Sequence, residues 1–471
     1  MKHRYRSIYR CILLVTLMCI LVSDAAFANV CNHYRYKTES TTGMVVEEPD
    51  VVAETAVLIE AETGAILYSK DCHKKLYPAS ITKIMTALLV LENCNMEDKL
   101  VFTDEIVDSI PYDAAKMGAV ANEEISIKDA MYALMLRSYN DVAVGLAYHV
   151  AGSQDAFAKK MTERAHEIGA LNTNFMNSSG LHHDEHYTTA YDMAIITREA
   201  MGNSSFAEIS GTVTYRILPT NMYQYRRTLN NRHELLATDS ADFYPYAIAG
   251  KTGYTSDAGR TLVTVARKDG LTLICVIMKS DYDSSGKDSK KILDYGFENF
   301  KKTSIRESEG SFDKNFFSEM GEAFISPQSA LYIDKDTSIM MPEGATIEDF
   351  TKKTVYYDTM RQGVIGELQY YYGDKLMGKV DILAGTGTNG DISDTPENEE
   401  TGTLDTDSVF DGDSRIPINI WLIPLGILVI IVIVAIIVYI VKTKEKRKRK
   451  KERKRIFKES RRRFKSRKKY R

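Results

Sequence analysis

Three short groups of polar residues suggest chemistry, and the first of them is Ser80-Ile-Thr-Lys83. Apolar residues recur at helical spacing from Ile81 onward, which predicts a helix between Ser80 and Glu92. Residues three apart share a helix face, so the Ser80 hydroxyl and the Lys83 amine should meet in one pocket. A lysine whose pKa is lowered by burial or by another cation could accept the serine proton. The pattern predicts a serine nucleophile with a lysine base, although it also fits a helix cap followed by an exposed lysine.

The second and third groups supply polar side chains that could complete such a pocket. Ser138-Tyr-Asn140 lies between two helical runs, where a loop can present a hydroxyl and an amide. Lys251-Thr-Gly253 follows the apolar segment 246–250, which predicts a strand beside the site. An ammonium and a hydroxyl there can hold a substrate carboxylate, and a glycine allows close approach of the backbone.

The elements that must position these groups alternate between strands and helices along the chain. Residues 56–60 and 65–68 predict two strands joined by a turn, and residues 261–265 and 271–277 predict a hairpin. Residues 290–300 predict a closing helix, and the long middle stretch is helical in character. We therefore expect an α/β (α+β) fold, in which both ends of the domain build one sheet and the middle forms a helical insertion.

The order SxxK, SxN, KTG at these separations resembles the penicillin-binding proteins and the serine β-lactamases. The text around the motifs is similar to the low-molecular-mass D-alanyl-D-alanine carboxypeptidases, in the segments 78–86, 136–141, 186–190 and 251–255. The resemblance covers roughly residues 56–300 and extends more weakly into the family's β-rich C-terminal domain. It implies a β-lactamase/transpeptidase-like sheet with a helical insertion.

The resemblance also implies roles for the catalytic residues. Ser80 would be the acylated nucleophile, Lys83 its general base, and Ser138 a proton relay. The substrates would be peptidoglycan stem peptides, cleaved through an acyl-enzyme without a cofactor, and β-lactam antibiotics would be covalent inhibitors. Tyr139 departs from the family pattern, since the middle residue of the second motif is usually small, and this leaves substrate preference open.

The remaining motif residues are implied to bind the substrate. Asn140 would hold the peptide, while Lys251 and Thr252 would bind the terminal carboxylate of D-alanine. Gly253 would let the strand lie close to the substrate. The oxyanion hole would consist of the backbone N–H groups of Ser80 and Tyr254.

Both ends of the chain carry targeting signals. Basic residues, the apolar run 11–22 and the triplet Ala26-Phe-Ala28 predict a cleaved signal peptide, because this run is shorter than the roughly 20 residues that span a bilayer. The uncharged run 420–441 predicts a transmembrane helix, and the Lys- and Arg-rich segment 442–471 predicts a cytoplasmic tail. We expect a single-pass protein of the cell membrane with its body outside.

Charge argues against nucleic acid as a partner of the body. The net charge of the 471-residue chain is −3, but the basic tail offsets a body that is strongly acidic. The tail itself could bind RNA, although contact with lipid headgroups is the simpler interpretation.

The segments beyond the catalytic part have distinct compositions. Residues 302–383 show alternating strands with Gly and Asp turns, whereas residues 385–415 are rich in Gly, Thr, Asp and Glu and have too little apolar content to fold. The predicted division is a signal peptide (1–28), a disordered leader (29–50), a carboxypeptidase domain (51–301), a small β-rich domain (302–384), an acidic flexible stalk (385–418), a transmembrane helix (419–441) and a basic cytoplasmic tail (442–471).

A metal site and a disulfide framework are not expected. The segment His182–His186 is rich in possible ligands, but its residues are adjacent instead of at helical ligand spacing. Removal of the signal peptide leaves Cys31, Cys72, Cys94 and Cys275, which show no CxxC pair. Three pairings are formally possible, and we expect free thiols.

Two other functions remain open at this point. A class A β-lactamase shares the three motifs, but it needs a glutamate that activates the deacylating water, and no Glu-x-x-x-Asn element lies between Asn140 and Lys251. A penicillin-binding sensor would be acylated without turnover. Hydrolysis of a D-alanyl-D-alanine peptide distinguishes the three functions.

Overall fold

The computed structural model describes residues 47–305, 329–333, 337–361 and 364–386. The strands are β1 (Thr55–Glu60), β2 (Ile66–Lys70), β3 (Lys99–Val101), β4 (Glu124–Ser126), β5 (Thr214–Ile217), β6 (Arg227–Asn230), β7 (Ala247–Thr255), β8 (Gly259–Lys268), β9 (Leu271–Ser280), β10 (Phe300–Ser304), β11 (Ser329–Ile333), β12 (Ser338–Pro342), β13 (Thr351–Arg361), β14 (Val364–Tyr372) and β15 (Lys375–Thr386). The α-helices are α1 (Lys83–Asn93), α2 (Asp104–Asp108), α3 (Ile127–Arg137), α4 (Asn140–Ala151), α5 (Gln154–Glu167), α6 (Ala190–Met201), α7 (Ser204–Gly211) and α8 (Ser285–Asn299).

The central sheet is antiparallel and is built from both ends of the domain, as the sequence predicted. Its order is β2-β1-β9-β8-β7, so the N-terminal hairpin pairs with the last strand of the C-terminal meander. β1 is buried along its whole length because helices cover both faces of the sheet. β7 lies at one edge, and among the described residues it pairs only with β8.

The helical insertion, α1 to α7, covers one face of this sheet. The helix α1 lies at its centre, and residues 83–90 of this helix are all buried. The apolar side chains of α1, α3, α4 and α6 form one hydrophobic cluster with the sheet residues Val57, Val263 and Val276. This core holds Lys83 of the first motif at the start of α1 and Asn140 of the second motif at the start of α4.

The opposite face of the sheet packs against α8 and the β-rich segment. Gly296 lets α8 lie close to the sheet, because a Cβ there would come within 2.5 Å of Leu58 Cδ2 and 2.7 Å of Leu273 Cδ1. The β-rich segment contains the pair β10-β12 and the four-stranded sheet β11-β15-β14-β13. Its buried residues Met340 and Ile382 belong to the same hydrophobic cluster as Leu58 and Leu273. The predicted β domain thus has its own sheet but shares a core with the central one.

Several sequence predictions concern residues outside the described ranges. The signal peptide, most of the leader, the transmembrane helix and the tail lie outside them, as does Cys31. Strand β15 continues through Gly385 and Thr386, past the predicted start of the stalk. Among the described helices, none combines the length and apolar character needed to cross a membrane. No disulfide joins the three cysteines that the structure describes.

Candidate active site

Ser80 lies in a tight turn at the start of the central helix. A 3-10 turn over Ala79–Thr82 precedes α1, so the regular helix begins at Lys83 and not at Ser80. Ala79 has φ +50°, a left-handed conformation that costs energy for a residue with a Cβ. Gly180 makes this turn possible, since a Cβ there would be 1.8 Å from the Ala79 carbonyl oxygen. The turn therefore presents Ser80 at the end of a buried helix.

The predicted Ser80–Lys83 pair is present. Lys83 Nζ donates hydrogen bonds to Ser80 Oγ at 3.1 Å, Asn140 Oδ1 at 2.8 Å and the Ser179 carbonyl oxygen at 2.6 Å. The side chain is 0% exposed. Burial, with a smaller contribution from the Arg232 guanidinium, lowers the pKa of Lys83 to about 7. A neutral amine has two hydrogens and one lone pair. In that form Lys83 can donate to the oxygens of Asn140 and Ser179 and accept a hydrogen bond from the Ser80 hydroxyl.

The second motif approaches Lys83 from the junction of α3 and α4. Ser138 is the residue after α3 and has φ 61°, ψ 34°, a left-handed conformation that is uncommon for serine. Its buried Oγ has no hydrogen-bond partner among the described residues. Asn140 begins α4 and binds Lys83 through its amide oxygen. A strained residue with an unsatisfied buried hydroxyl is typical of a functional position.

Asp141 anchors the loop that faces the second motif, and sequence reasoning gave it no role. Its buried carboxylate accepts hydrogen bonds from the backbone N–H groups of Met117 at 2.9 Å, Gly118 at 2.9 Å and Ala119 at 3.3 Å. The backbone N–H of Asn140 in turn donates to the Ala115 carbonyl oxygen at 2.8 Å. The loop 109–121 is thereby fixed beside Asn140.

The third motif lies on the edge strand β7, directly against Ser80. A Cβ on Gly253 would be 2.8 Å from the Ser80 backbone nitrogen and 2.3 Å from Thr261 Oγ1, so this position requires glycine. Thr261 Oγ1 donates to the Pro78 carbonyl oxygen at 2.9 Å, which ties β8 to the turn before the serine. Tyr254, the next residue of β7, is 51% exposed at the cleft. The edge of β7 is open to a peptide at this point.

Lys251 is a second buried lysine in the same site. Its side chain is 2% exposed and donates to the Thr252 carbonyl oxygen at 2.7 Å. Burial lowers the pKa of Lys251 well below its usual range, and the charges of Lys83, Arg232 and Arg260 lower it further. Arg260 is itself paired with Glu234 at 2.7 Å. A bound anion would relieve the repulsion among these cations.

Burial or a nearby cation was predicted to lower the pKa of Lys83, and Arg232 is such a cation, which the sequence did not identify. Its side chain is exposed, yet its charge lowers the pKa of both Lys83 and Lys251. The backbone N–H of Arg232 donates to the Leu136 carbonyl oxygen at 3.1 Å, which brings it beside the second motif. Nothing in the local sequence marks Arg232, because its role depends on a tertiary contact.

The histidine-rich segment contacts the first motif through His186 and Thr82. His186 is buried, and its Nδ1 accepts a hydrogen bond from the Met176 backbone N–H at 3.2 Å. The proton is therefore on Nε2, which lies 2.9 Å from Thr82 Oγ1. Burial lowers the pKa of His186 to about 3, so the ring stays neutral. Over the described ranges, no three His, Cys, Asp or Glu side chains are grouped as metal ligands would be.

Comparison with known proteins agrees with this geometry. Residues 42–282 match the family model described as D-alanyl-D-alanine carboxypeptidase, a peptidase family. The chain is 30% identical to the D-alanyl-D-alanine carboxypeptidase DacF of Bacillus subtilis over 74% of this chain and 85% of that protein. It is 29% identical to the D-alanyl-D-alanine carboxypeptidase DacA of Haemophilus influenzae over 70% of this chain and 84% of that protein.

Solved structures share the fold. The DD-transpeptidase of Streptomyces K15 is 29% identical, with a TM-score of 0.50 over 54% of this chain and 99% of that structure. Penicillin binding protein 5 of Haemophilus influenzae has a TM-score of 0.56 over 72% of this chain and 98% of that structure, and at 24% identity this likeness concerns the fold alone. With its mixed α/β penicillin-binding fold and its buried serine–lysine site, the chain belongs to the D-alanyl-D-alanine carboxypeptidase family of serine peptidases.

Proposed function

We propose that the protein removes the terminal D-alanine from peptidoglycan stem peptides, with Ser80 as the nucleophile. The observation that carries this proposal is the contact between Lys83 Nζ and Ser80 Oγ at 3.1 Å, together with a Lys83 pKa of about 7. A lysine at its ordinary pKa of about 10.4 would be protonated near neutral pH and could not act as a base. A site that keeps the amine partly neutral is suited to activate a serine.

Acylation follows from the contacts of the two residues. Ser80 Oγ attacks the carbonyl carbon of the scissile peptide bond while Lys83 Nζ takes the hydroxyl proton. The tetrahedral intermediate then releases the nitrogen of the terminal D-alanine, which must receive a proton. Ser138 is suited to pass that proton on from Lys83, since its buried Oγ has no partner among the described residues. Water then attacks the ester, and the reverse proton transfers restore Ser80.

The reaction involves two negative charges, one on the tetrahedral oxygen and one on the substrate carboxylate, and the site has groups that could stabilise both. The negative charge of the tetrahedral oxygen would be stabilised by backbone N–H groups, for which Ser80 and Tyr254 remain the predicted donors. The substrate carboxylate would bind near Thr252 and Gly253, where the buried Lys251 and the charge of Arg232 make an anion favourable. The open edge of β7 would align the substrate as an additional strand.

The experiment is a comparison of the full-length protein with its Ser80→Ala variant. Mass spectrometry of a stem pentapeptide should show loss of one alanine with the wild type and no loss with the variant. A fluorescent penicillin, expected to acylate the same serine, should label only the wild type covalently. Labelling that persists in the variant would assign the nucleophile to another residue, and a peptide that stays intact with the wild type would refute the function.

The same proposal includes a location, which rests on sequence alone. We expect the catalytic body outside the cell, the helix 419–441 across the cytoplasmic membrane and the tail 442–471 inside. Protease added to intact cells should then remove the body and spare a tag placed after Arg471. A tag that is digested in sealed cells would reverse the orientation.

A further inference from the structure

A pocket of about 280 Å³ lies between the segment before Ser80 and the loop after β7. Two lysines, two aspartates and two tyrosines line most of it, namely Lys75, Lys279, Asp184, Asp257, Tyr77 and Tyr187. Its volume is just below the range of about 300–1,000 Å³ typical of pockets that hold whole small ligands. It is large enough for one long side chain.

The pocket is adjacent to the catalytic serine. Tyr77 precedes Ser80 by three residues, so their Cα atoms are at most about 11 Å apart. The ring of His182 meets the ring of Tyr77 edge-on at 4.7 Å, and His182 Nδ1 lies 3.8 Å from Asp257 Oδ2. These contacts join the segment before Ser80 to the loop after β7, and two of the residues that they connect, Tyr77 and Asp257, line the pocket.

The charged groups of the pocket are only partly neutralised. Among the described residues, Lys75 forms no ion pair, and its ammonium lies 4.4 Å from the centre of the Tyr187 ring. Lys279 is paired with Glu54 at 2.9 Å. Within the described ranges, the one charged partner of Asp257 is His182, which balances its charge only when the imidazole is protonated. The pocket therefore offers both an ammonium and a carboxylate to a ligand, which favours a group that carries both charges.

The expected path of the peptide substrate leads from the catalytic serine to this pocket. This path rests on the proposed function. A peptide whose terminal carboxylate binds near Lys251 and Thr252, and which pairs antiparallel with β7, has its earlier residues toward Thr255. Asp257 follows Thr255 by two residues. The side chain just before the two terminal alanines would thus enter the pocket.

We propose that this pocket binds the zwitterionic end of a diamino-dicarboxylic acid side chain in the stem peptide. The ligand carboxylate pairs with Lys75, and the ligand ammonium pairs with Asp257. The pocket in this way selects the third residue of the stem.

Four pentapeptides that differ only at the third residue test the proposal with the full-length protein. The third residue is meso-2,6-diaminopimelic acid, L-lysine, L-2-aminopimelic acid or L-norleucine, so that the two charges are present together, singly or not at all. We expect kcat/KM for D-alanine release to be highest for the zwitterion and at least about tenfold lower for norleucine, as two charge-assisted contacts would produce. Equal values for the four peptides would overturn the pocket, whereas no release from any of them would refute the proposed function instead.

Two variants assign the charges. Lys75→Met should abolish the increase in kcat/KM that the ligand carboxylate gives. Asp257→Asn should abolish the increase in kcat/KM that the ligand ammonium gives. Matched controls are Lys159→Met and Asp155→Asn, because both residues are exposed on α5. The controls should keep the wild-type preference, and a preference that also persists in both pocket variants would contradict the assignment.

Discussion

The two faces of the central sheet differ in the lysines that they bury. On the face with the helical insertion lie two lysines that are at most 2% exposed, Lys83 and Lys251, and the buried hydroxyl of Ser138, which has no partner in the part of the chain that the structure describes. The opposite face, under α8 and the β-rich segment, is filled by apolar side chains such as Leu58, Leu273 and Ile292. Burying charge and leaving a hydroxyl unpaired both lower stability, whereas burying apolar surface raises it. The catalytic face therefore buries two lysines in addition to its own apolar core, whereas the described residues of the outer face bury no lysine.

Among the substitutions that test this difference between the faces, Lys83→Met should have the largest effect, and the effect should be on the acylation rate. Methionine fills a similar volume but supplies no base, so we expect acylation of Ser80 by a penicillin to slow by about 10²–10⁴-fold, the usual contribution of a general base. Stopped-flow or quench measurements of the acylation rate give the result. The control is Lys159→Met, whose lysine is 77% exposed. A wild-type acylation rate in Lys83→Met would mean that another group takes the serine proton.

On the outer face, Leu273→Ala should separate stability from catalysis. Leu273 is 0% exposed and packs where Gly296 lets α8 approach the sheet. Loss of a buried leucine typically lowers the free energy of unfolding by about 2–5 kcal/mol. Denaturant titration measures this loss, and the acylation rate of the folded fraction should stay unchanged. The exposed Leu171 provides the control as Leu171→Ala. Reduced acylation by folded Leu273→Ala would show that the two faces are coupled.

A smaller and local effect is expected from Asp141→Asn. The substitution replaces a charged acceptor of three backbone N–H groups by an amide with a single acceptor oxygen, a loss of about 1–3 kcal/mol. Hydrogen exchange of Met117, Gly118 and Ala119 should therefore accelerate, while exchange in β8 and β9 stays as in the wild type. The exposed Asp155 is the matched control, as Asp155→Asn. Unchanged protection of the three amides would mean that the loop is held by other contacts.

The sequence was sufficient to predict the serine–lysine contact of the site and the sheet beside it. The i, i+3 spacing predicted contact between Ser80 and Lys83, and the structure places Lys83 Nζ 3.1 Å from Ser80 Oγ, although Ser80 lies in a 3-10 turn and not in the predicted helix. Strands at both ends with helices between them predicted the central sheet, since alternation and apolar periodicity are local signals. The roles assigned to the motif residues stay predictions.

Other features depend on contacts between distant segments and leave no local signal. The left-handed Ala79 before the serine requires the close approach of Gly180, which lies in another part of the chain. Arg232 acts on Lys83 only through tertiary proximity, and the same is true of the Asp141 carboxylate and the loop it holds. Alternating strands in residues 302–383 predicted a β-rich domain, but not the surface against which it packs.

The most direct test of the account is the pH dependence of penicillin acylation at Ser80. The reactive form of Lys83 is the neutral amine, so the rate should rise with pH, bend near the Lys83 pKa of about 7 and reach a plateau above it. In Arg232→Gln the bend should move to higher pH, because removal of a nearby positive charge raises the pKa of the lysine. A rate that keeps rising to the ordinary lysine range of about 10.4, with no bend near neutrality, would contradict the claim that burial prepares Lys83 as the base.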